Sequence, residues 1–173
     1  MEFDGAPASN LYGSDLRPDF IELGYELFLD KHKFGATFVL ADVFDPNSDL
    51  KQLDGTIDII HAASFFHLFD RDTQIKLAKR VIALLKPQKD SLLFGRQVGK
   101  VEAGETPANS QPGRLLFRHN VETWAELWKQ IGRETGTEWQ VDSELIPTWT
   151  SGLVKERLEA EGIRQHRFTI RRL

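Results

Sequence analysis

Two short segments constrain this chain more than anything else in it. Ala36-Thr37-Phe38-Val39-Leu40-Ala41 is almost continuously apolar and stops at Asp42; Ile57-Asp58-Ile59-Ile60-His61-Ala62-Ala63 stops at Ser64. A run of this length with few polar interruptions suits a strand covered on both faces, and such strands belong to mostly parallel sheets. A third strand is expected at about 10–15, Asn10-Leu11-Tyr12-Gly13-Ser14-Asp15, again closing on an acid. Helical patterns alternate with these strands. Pro18 opens one helix, expected over 18–30, with Phe20, Leu23, Leu27 and Phe28 as its stripe. A second starts at Asp70 or Asp72 and carries Ile75, Ala78, Val81, Ile82 and Leu85 to a stop at Lys86-Pro87. Alternation of this kind predicts an α/β fold with helices on both faces of the sheet.

The remainder continues the pattern. Ser91-Leu92-Leu93-Phe94-Gly95 reads as a strand, and the polar stretch Gly99–Gly113 reads as a mobile, lid-like loop. A helix over 121–134 is capped by Asn120 and aligns Trp124, Leu127, Trp128 and Ile131. Trp139–Ile146 and Arg167–Leu173 form a closing antiparallel pair, with a turn and a short helix at 153–161 between them. No repeat or linker divides the 173 residues, so one domain, 1–173, is expected.

Charge and composition narrow the function. The 22 basic and 26 acidic side chains are interspersed, for a net charge of -4. The basic tail Arg164–Arg172 alternates with apolar residues, as a strand with one charged face would, so no nucleic-acid partner is expected. No apolar stretch approaches the length of a bilayer span, and the amino-terminal Met-Glu-Phe-Asp-Gly-Ala-Pro carries no leader signal, so no membrane partner is expected either. Cysteine is absent, which removes disulfide and thiolate chemistry and agrees with a cytoplasmic location. There is no phosphate-binding Gly-x-x-x-x-Gly-Lys loop, no Gly-x-Ser-x-Gly elbow and no metal-ligand spacing.

Polar residues fall just after successive strands: Asp15, then Asp42 with Asp45, then Ser64-Phe65-Phe66-His67. In open α/β sheets, ligands bind beyond the carboxyl ends of the strands, so these groups are candidates for one crevice. Each also has a purely structural account. Acids after strands open turns, the better reading for Asp45 before Pro46-Asn47. His67, His61, His119, Arg96 and Arg118 are candidate catalysts. Against that, His61 fits a core position in its strand, and Arg118-His119-Asn120 fits a helix cap.

Asp15, the Ala41-Asp42-Val43-Phe44 segment and the Leu84-Leu85-Lys86-Pro87 helix end resemble those of class I S-adenosylmethionine-dependent methyltransferases. Asn10–Pro18, Ser64-Phe65-Phe66-His67-Leu68-Phe69, Gly95-Arg96-Gln97-Val98-Gly99 and Arg118-His119-Asn120 look like the fungal branch that methylates terpenoid and meroterpenoid intermediates. The resemblance implies a Rossmann-like sheet. It implies that Asp15 holds the ribose of S-adenosylmethionine, that Asp42 and Val43 meet its adenine, and that Ser64 lies near its methionine moiety. It further implies a substrate region with Phe65, Phe66, Arg96, Arg118 and His119, and a catalytic role for His67. No segment corresponds to the family's first strand and glycine-rich loop, so the chain is expected to be amino-terminally truncated relative to the family. Two unpaired strand edges would follow. Three outcomes are open: the edges re-pair directly, a partner (a second copy or a full-length relative) fills the gap, or the sequence is an incomplete gene model. The activity expected is O-methyl transfer to a terpenoid-type acid if the cofactor site is completed. The alternatives are a non-redox isomerase or cyclase, and a non-catalytic partner of a full-length enzyme.

Overall fold

In a computed structural model the described residues are 5–31, 33–108 and 112–173. They fall into two compact units, Met1–Leu53 and Asp54–Leu173. Met1–Asp4 and the centre of the expected 99–113 loop lie outside the described residues.

The first unit is a parallel strand pair joined by a helix. β1 (Tyr12–Asp15) pairs with β2 (Thr37–Leu40) in the register Tyr12↔Thr37 to Asp15↔Leu40. Gly13 makes room for the Phe38 ring, since a Cβ there would lie 2.6 Å from it. Phe38 in turn meets Tyr25 edge-on at 5.5 Å. Helix α1 (Pro18–Phe28) begins with proline at its first turn, where the missing N–H costs nothing. It ends two residues earlier than expected, at Phe28, followed by Leu29 in the left-handed region (φ 52°).

The second unit holds a four-stranded sheet in the order β3-β4-β8-β7, formed by β3 (Ile59–Ala63), β4 (Leu92–Lys100), β8 (Ile163–Arg172) and β7 (Trp139–Ile146). β3 and β4 are parallel, while β4, β8 and β7 run antiparallel in turn. Gly95 allows β3 and β4 to approach: a Cβ there would sit 2.0 Å from the Ala62 carbonyl oxygen. The antiparallel closing pair forms as expected, and β8 inserts between β4 and β7. Within the units, β1 pairs with β2 and β3 with β4.

One face of this sheet is covered. Helix α2 (Arg71–Leu84) starts at Asp70, whose carboxylate accepts the Thr73 N–H at 2.7 Å. Helix α3 (Val121–Thr135) starts with a reciprocal box between Asn120 and Thr123 and ends at Gly136 in the left-handed region. The periodicity of α3 places Trp124, Leu127, Trp128 and Ile131 on one side, all essentially inaccessible. Trp124 packs on Phe168 at 5.0 Å and Trp128 on Trp139 at 5.4 Å, bringing α3 onto β8 and β7. Leu77, Ala78 and Val81 of α2, with Leu93 and Ile170 from the strands, complete the core.

The expected lid-like loop is more ordered than its composition suggests. β4 runs on to Lys100, and β5 (Gly104–Pro107) and β6 (Leu115–Arg118) form an antiparallel hairpin. The hairpin is tied down by buried Gln74, whose amide donates to the Phe69 and Phe117 carbonyls at 3.0 and 2.8 Å. A further helix, α4 (Gly152–Ala160), precedes β8.

Candidate functional site

The polar groups that end successive strands occupy both units. In the first, Asp15 closes β1 and Asp42 lies two residues beyond β2, so the two acids stand at the carboxyl ends of adjacent parallel strands. Each has one oxygen engaged locally: Asp15 accepts the Arg17 N–H at 2.8 Å and Asp42 the Phe44 N–H at 2.9 Å. Such turns fix the carboxylate's orientation while one oxygen serves the backbone. Asp45 makes the same turn to Asn47 at 2.8 Å, the structural role expected for it. Val43 is half-buried beside Asp42.

In the second unit, β3 ends in a strained turn. Ser64 adopts a left-handed backbone (φ 55°), which glycine accepts freely and serine does not, and its N–H donates to the Arg96 carbonyl at 2.7 Å. Strain of this kind, about 1–3 kcal/mol, is tolerated where surrounding structure holds it in place. It turns the chain sharply out of β3 into Phe65-Phe66-His67. Phe65 is half-buried and meets Phe69 edge-on at 5.5 Å. His67 is buried, and that burial, together with the positive charge of Arg118, pushes its imidazole down to about 4. It is therefore neutral at pH 7 and a weak base. Arg118 is half-buried, and its guanidinium is lowered from its ordinary value by that burial.

Two of the expected substrate residues belong to the core. Phe66 is 1% exposed and packs edge-on against Trp124 at 5.2 Å. His119 is equally buried, between Phe117 at 4.7 Å and Trp124 at 5.2 Å, with Nδ1 3.0 Å from the Thr123 hydroxyl. Desolvation, then the neighbouring His166, pushes His119 down to about 3. Both side chains pack into the core. His61 reverses the expectation the other way: it is exposed and stacks on Phe94 at 4.7 Å, because among the described residues β3 is an edge strand with only one face covered.

Arg96 stands on that uncovered face, which forms the floor of a groove of about 530 Å³ lined by His61, Phe94, Arg96, Asp142, Glu144 and Arg167. Its guanidinium lies over the ring of Trp149, 5.7 Å from the centroid. Nothing in sequence spacing joins Arg96 to Trp149 or Arg167. The only local signal was the turn-like Pro147-Thr148-Trp149-Thr150.

The strand order, the acids at the strand ends and the mixed closing sheet define a Rossmann-like methyltransferase fold. Among solved structures, the 1,6-didemethyltoxoflavin-N1-methyltransferase of Burkholderia thailandensis superposes with a TM-score of 0.63 at 17% identity, over 94% of this chain and 61% of that one. The sequence leads to a narrower group. O-methyltransferase phiE of a fungal species (strain ATCC 74256) is 46% identical over 171 residues, covering 94% of this chain and 56% of phiE. Methyltransferase adrK of Penicillium rubens is 43% identical over 143 residues, covering 82% of this chain and 51% of adrK. No family model matches the chain. By sequence and fold together the chain belongs with the class I S-adenosylmethionine-dependent methyltransferases and resembles those of fungal secondary metabolism. It spans about half the length of the curated relatives it matches.

Proposed function

We propose that this chain works in O-methyl transfer from S-adenosylmethionine to a small terpenoid-type carboxylic acid, as part of cytoplasmic secondary metabolism. The observation that carries this reading is the pair Asp15 and Asp42, at the ends of adjacent parallel strands and each oriented by a backbone N–H two residues on. Their chemistry fits a nucleoside: Asp15 would accept from the ribose hydroxyls, and Asp42 with half-buried Val43 would border the adenine. When bound, the cofactor supplies an electrophilic methyl group on a sulfonium.

This chain's side of the reaction is positioning. An acceptor carboxylate is already ionised at neutral pH, so its oxygen attacks without losing a proton. No general base is then required, which accords with a His67 that is buried and held near 4. His67 is better read as a buried packing residue than as a proton acceptor. Calorimetric titration with S-adenosylmethionine tests the proposal. Micromolar binding that is abolished in Asp15→Ala supports it, and a silent titration of the wild-type chain overturns it.

A second reading is favoured by the open edge of β3. In the parallel pairing with β4, Leu92 donates to the Asp58 carbonyl and Ser64 to that of Arg96, so the even-numbered residues serve β4. The backbone groups of Ile59, His61 and Ala63 therefore point to the other edge, beside an Ile59 side chain that is 55% exposed. An edge of this kind recruits strands. Pairing there with a second copy or a full-length relative would predict a dimer or a mixed complex by light scattering.

A further inference from the structure

We propose that Arg96 and Arg167, walled by Trp149, form the carboxylate-recognition end of a ligand site on the uncovered face of the β3-β4-β8-β7 sheet. The assignment rests on the methyl-acceptor reading above and names the residues that would select an acid. Arg96 and Arg167 are direct partners in the β4–β8 register, so their side chains leave the same face side by side. Like charges directly opposite each other across an antiparallel pair are destabilising. Arg167 is relieved only loosely, by Glu144 at 3.9 Å with both groups mostly in solvent. Among the described residues no carboxylate pairs with Arg96. One negative charge placed between the two guanidinium groups would resolve this arrangement.

The surroundings say what kind of anion fits. The Arg96 guanidinium lies over the Trp149 ring, 5.7 Å from its centroid, and its forked N–H donors suit a planar, two-oxygen acceptor. On the β3 side the floor is a flat aromatic surface, the stacked rings of His61 and Phe94. On the β7 side it is acidic, with Asp142 and Glu144. A ligand with a single carboxylate and an apolar body is therefore oriented: the acid goes to the arginines, the body lies over Phe94 and His61, and a second negative charge is repelled from β7. The groove volume of about 530 Å³ suits a molecule of drug-like or polycyclic terpenoid size. An alcohol of the same shape would lack the group that the arginines recognise.

The test uses the whole chain and needs no methyl donor. Trp149 is the most exposed of the four tryptophans, 57% against 0% and 1% for Trp124 and Trp128 and a half-buried Trp139, so its emission reports directly on this face. The probes are dehydroabietic acid and its neutral alcohol, dehydroabietinol. The acid should shift tryptophan emission saturably, with the alcohol binding at least tenfold more weakly. Arg96→Gln should weaken the acid at least tenfold and remove the preference over the alcohol, while Arg96→Lys should retain part of it. Trp149→Phe should abolish the optical signal, with calorimetry still detecting acid binding. Equal binding of acid and alcohol, or unchanged affinity in Arg96→Gln, would overturn the assignment. Circular dichroism of the variant confirms that it is folded. A silent S-adenosylmethionine titration with intact acid binding would defeat the methyltransferase reading and leave this site standing; the reverse pair of results would defeat only the site.

Discussion

The two units of this chain treat their apolar residues in opposite ways. In the second, α3 buries every member of its stripe, and Trp124, Leu127, Trp128 and Ile131 form a continuous core with Leu93, Phe168 and Ile170. In the first, α1 has an equally clear stripe but no buried residue, and Leu27 and Phe28 are each 71% exposed. The two long helices of the second unit also differ from α1 in their caps, although α4 in that unit lacks a side-chain cap as well. Asn120 and Asp70 bond the first turns of α3 and α2 through their side chains, whereas Arg17 at the start of α1 makes no side-chain cap. A helical pattern in sequence thus specifies a helix but not the surface that will cover it. The second unit has a continuous buried core of its own. The first carries the two strand-end acids on a frame with little core of its own.

The largest expected effect that would sharpen this contrast lies at the centre of the second unit. Trp124→Ala should cost about 3–5 kcal/mol in denaturant unfolding, since it empties a fully buried site contacted by Phe66, His119, Trp128, His166 and Phe168. Acid comes next. His67, His119 and His166 are held neutral in the fold, at about 4, 3 and 4, chiefly by burial. Each lies below its unfolded value of about 6.5, so the unfolded chain binds the extra protons. The stabilisation is complete above about pH 6.5 and is lost as pH falls towards 4. At pH 5 the loss should be on the order of 2 kcal/mol per histidine. Unfolding titrations at pH 7 and pH 5 read this directly, and His166→Gln should flatten the dependence. Asn120→Ala should cost about 1 kcal/mol through loss of the α3 cap. The smallest effect belongs to the first unit: Phe28→Ser should change unfolding free energy by no more than about 0.5 kcal/mol. A large loss there would show that α1 is covered in solution, and would break the contrast.

Much of this architecture was legible from residue pattern because the pattern is local. Asp70 and Asn120 as caps, the α2 and α3 stripes, and the β7–β8 pair follow from spacings of two, three and four. What escaped was decided elsewhere in the molecule. The β5–β6 hairpin is built from Gly104-Glu105-Thr106-Pro107, which has no apolar alternation, and it is held by Gln74 from α2. His61 sits in an apolar run, yet its strand ends the sheet, so the run does not bury it. Phe66 and His119 belong to motif-like segments whose polar neighbours suggested a site, but Trp124 draws both rings into the core. Asp15 and Asp42 were legible as strand-end acids, while the Arg96–Arg167–Trp149 arrangement depends on sheet register and a distant loop.

The central claim, that the acids proposed to hold the cofactor stand on the unit with the smaller buried core, is tested most directly by amide hydrogen exchange with and without S-adenosylhomocysteine. Without ligand, amides of α2, α3, β4 and β8 should exchange far more slowly than those of β1, β2 and α1. Ligand should slow exchange selectively at Tyr12–Asp15 and Thr37–Leu40 and leave α3 almost unchanged. Equal protection of both units without ligand, or no added protection around Asp15 and Asp42 at saturating ligand, would contradict the account.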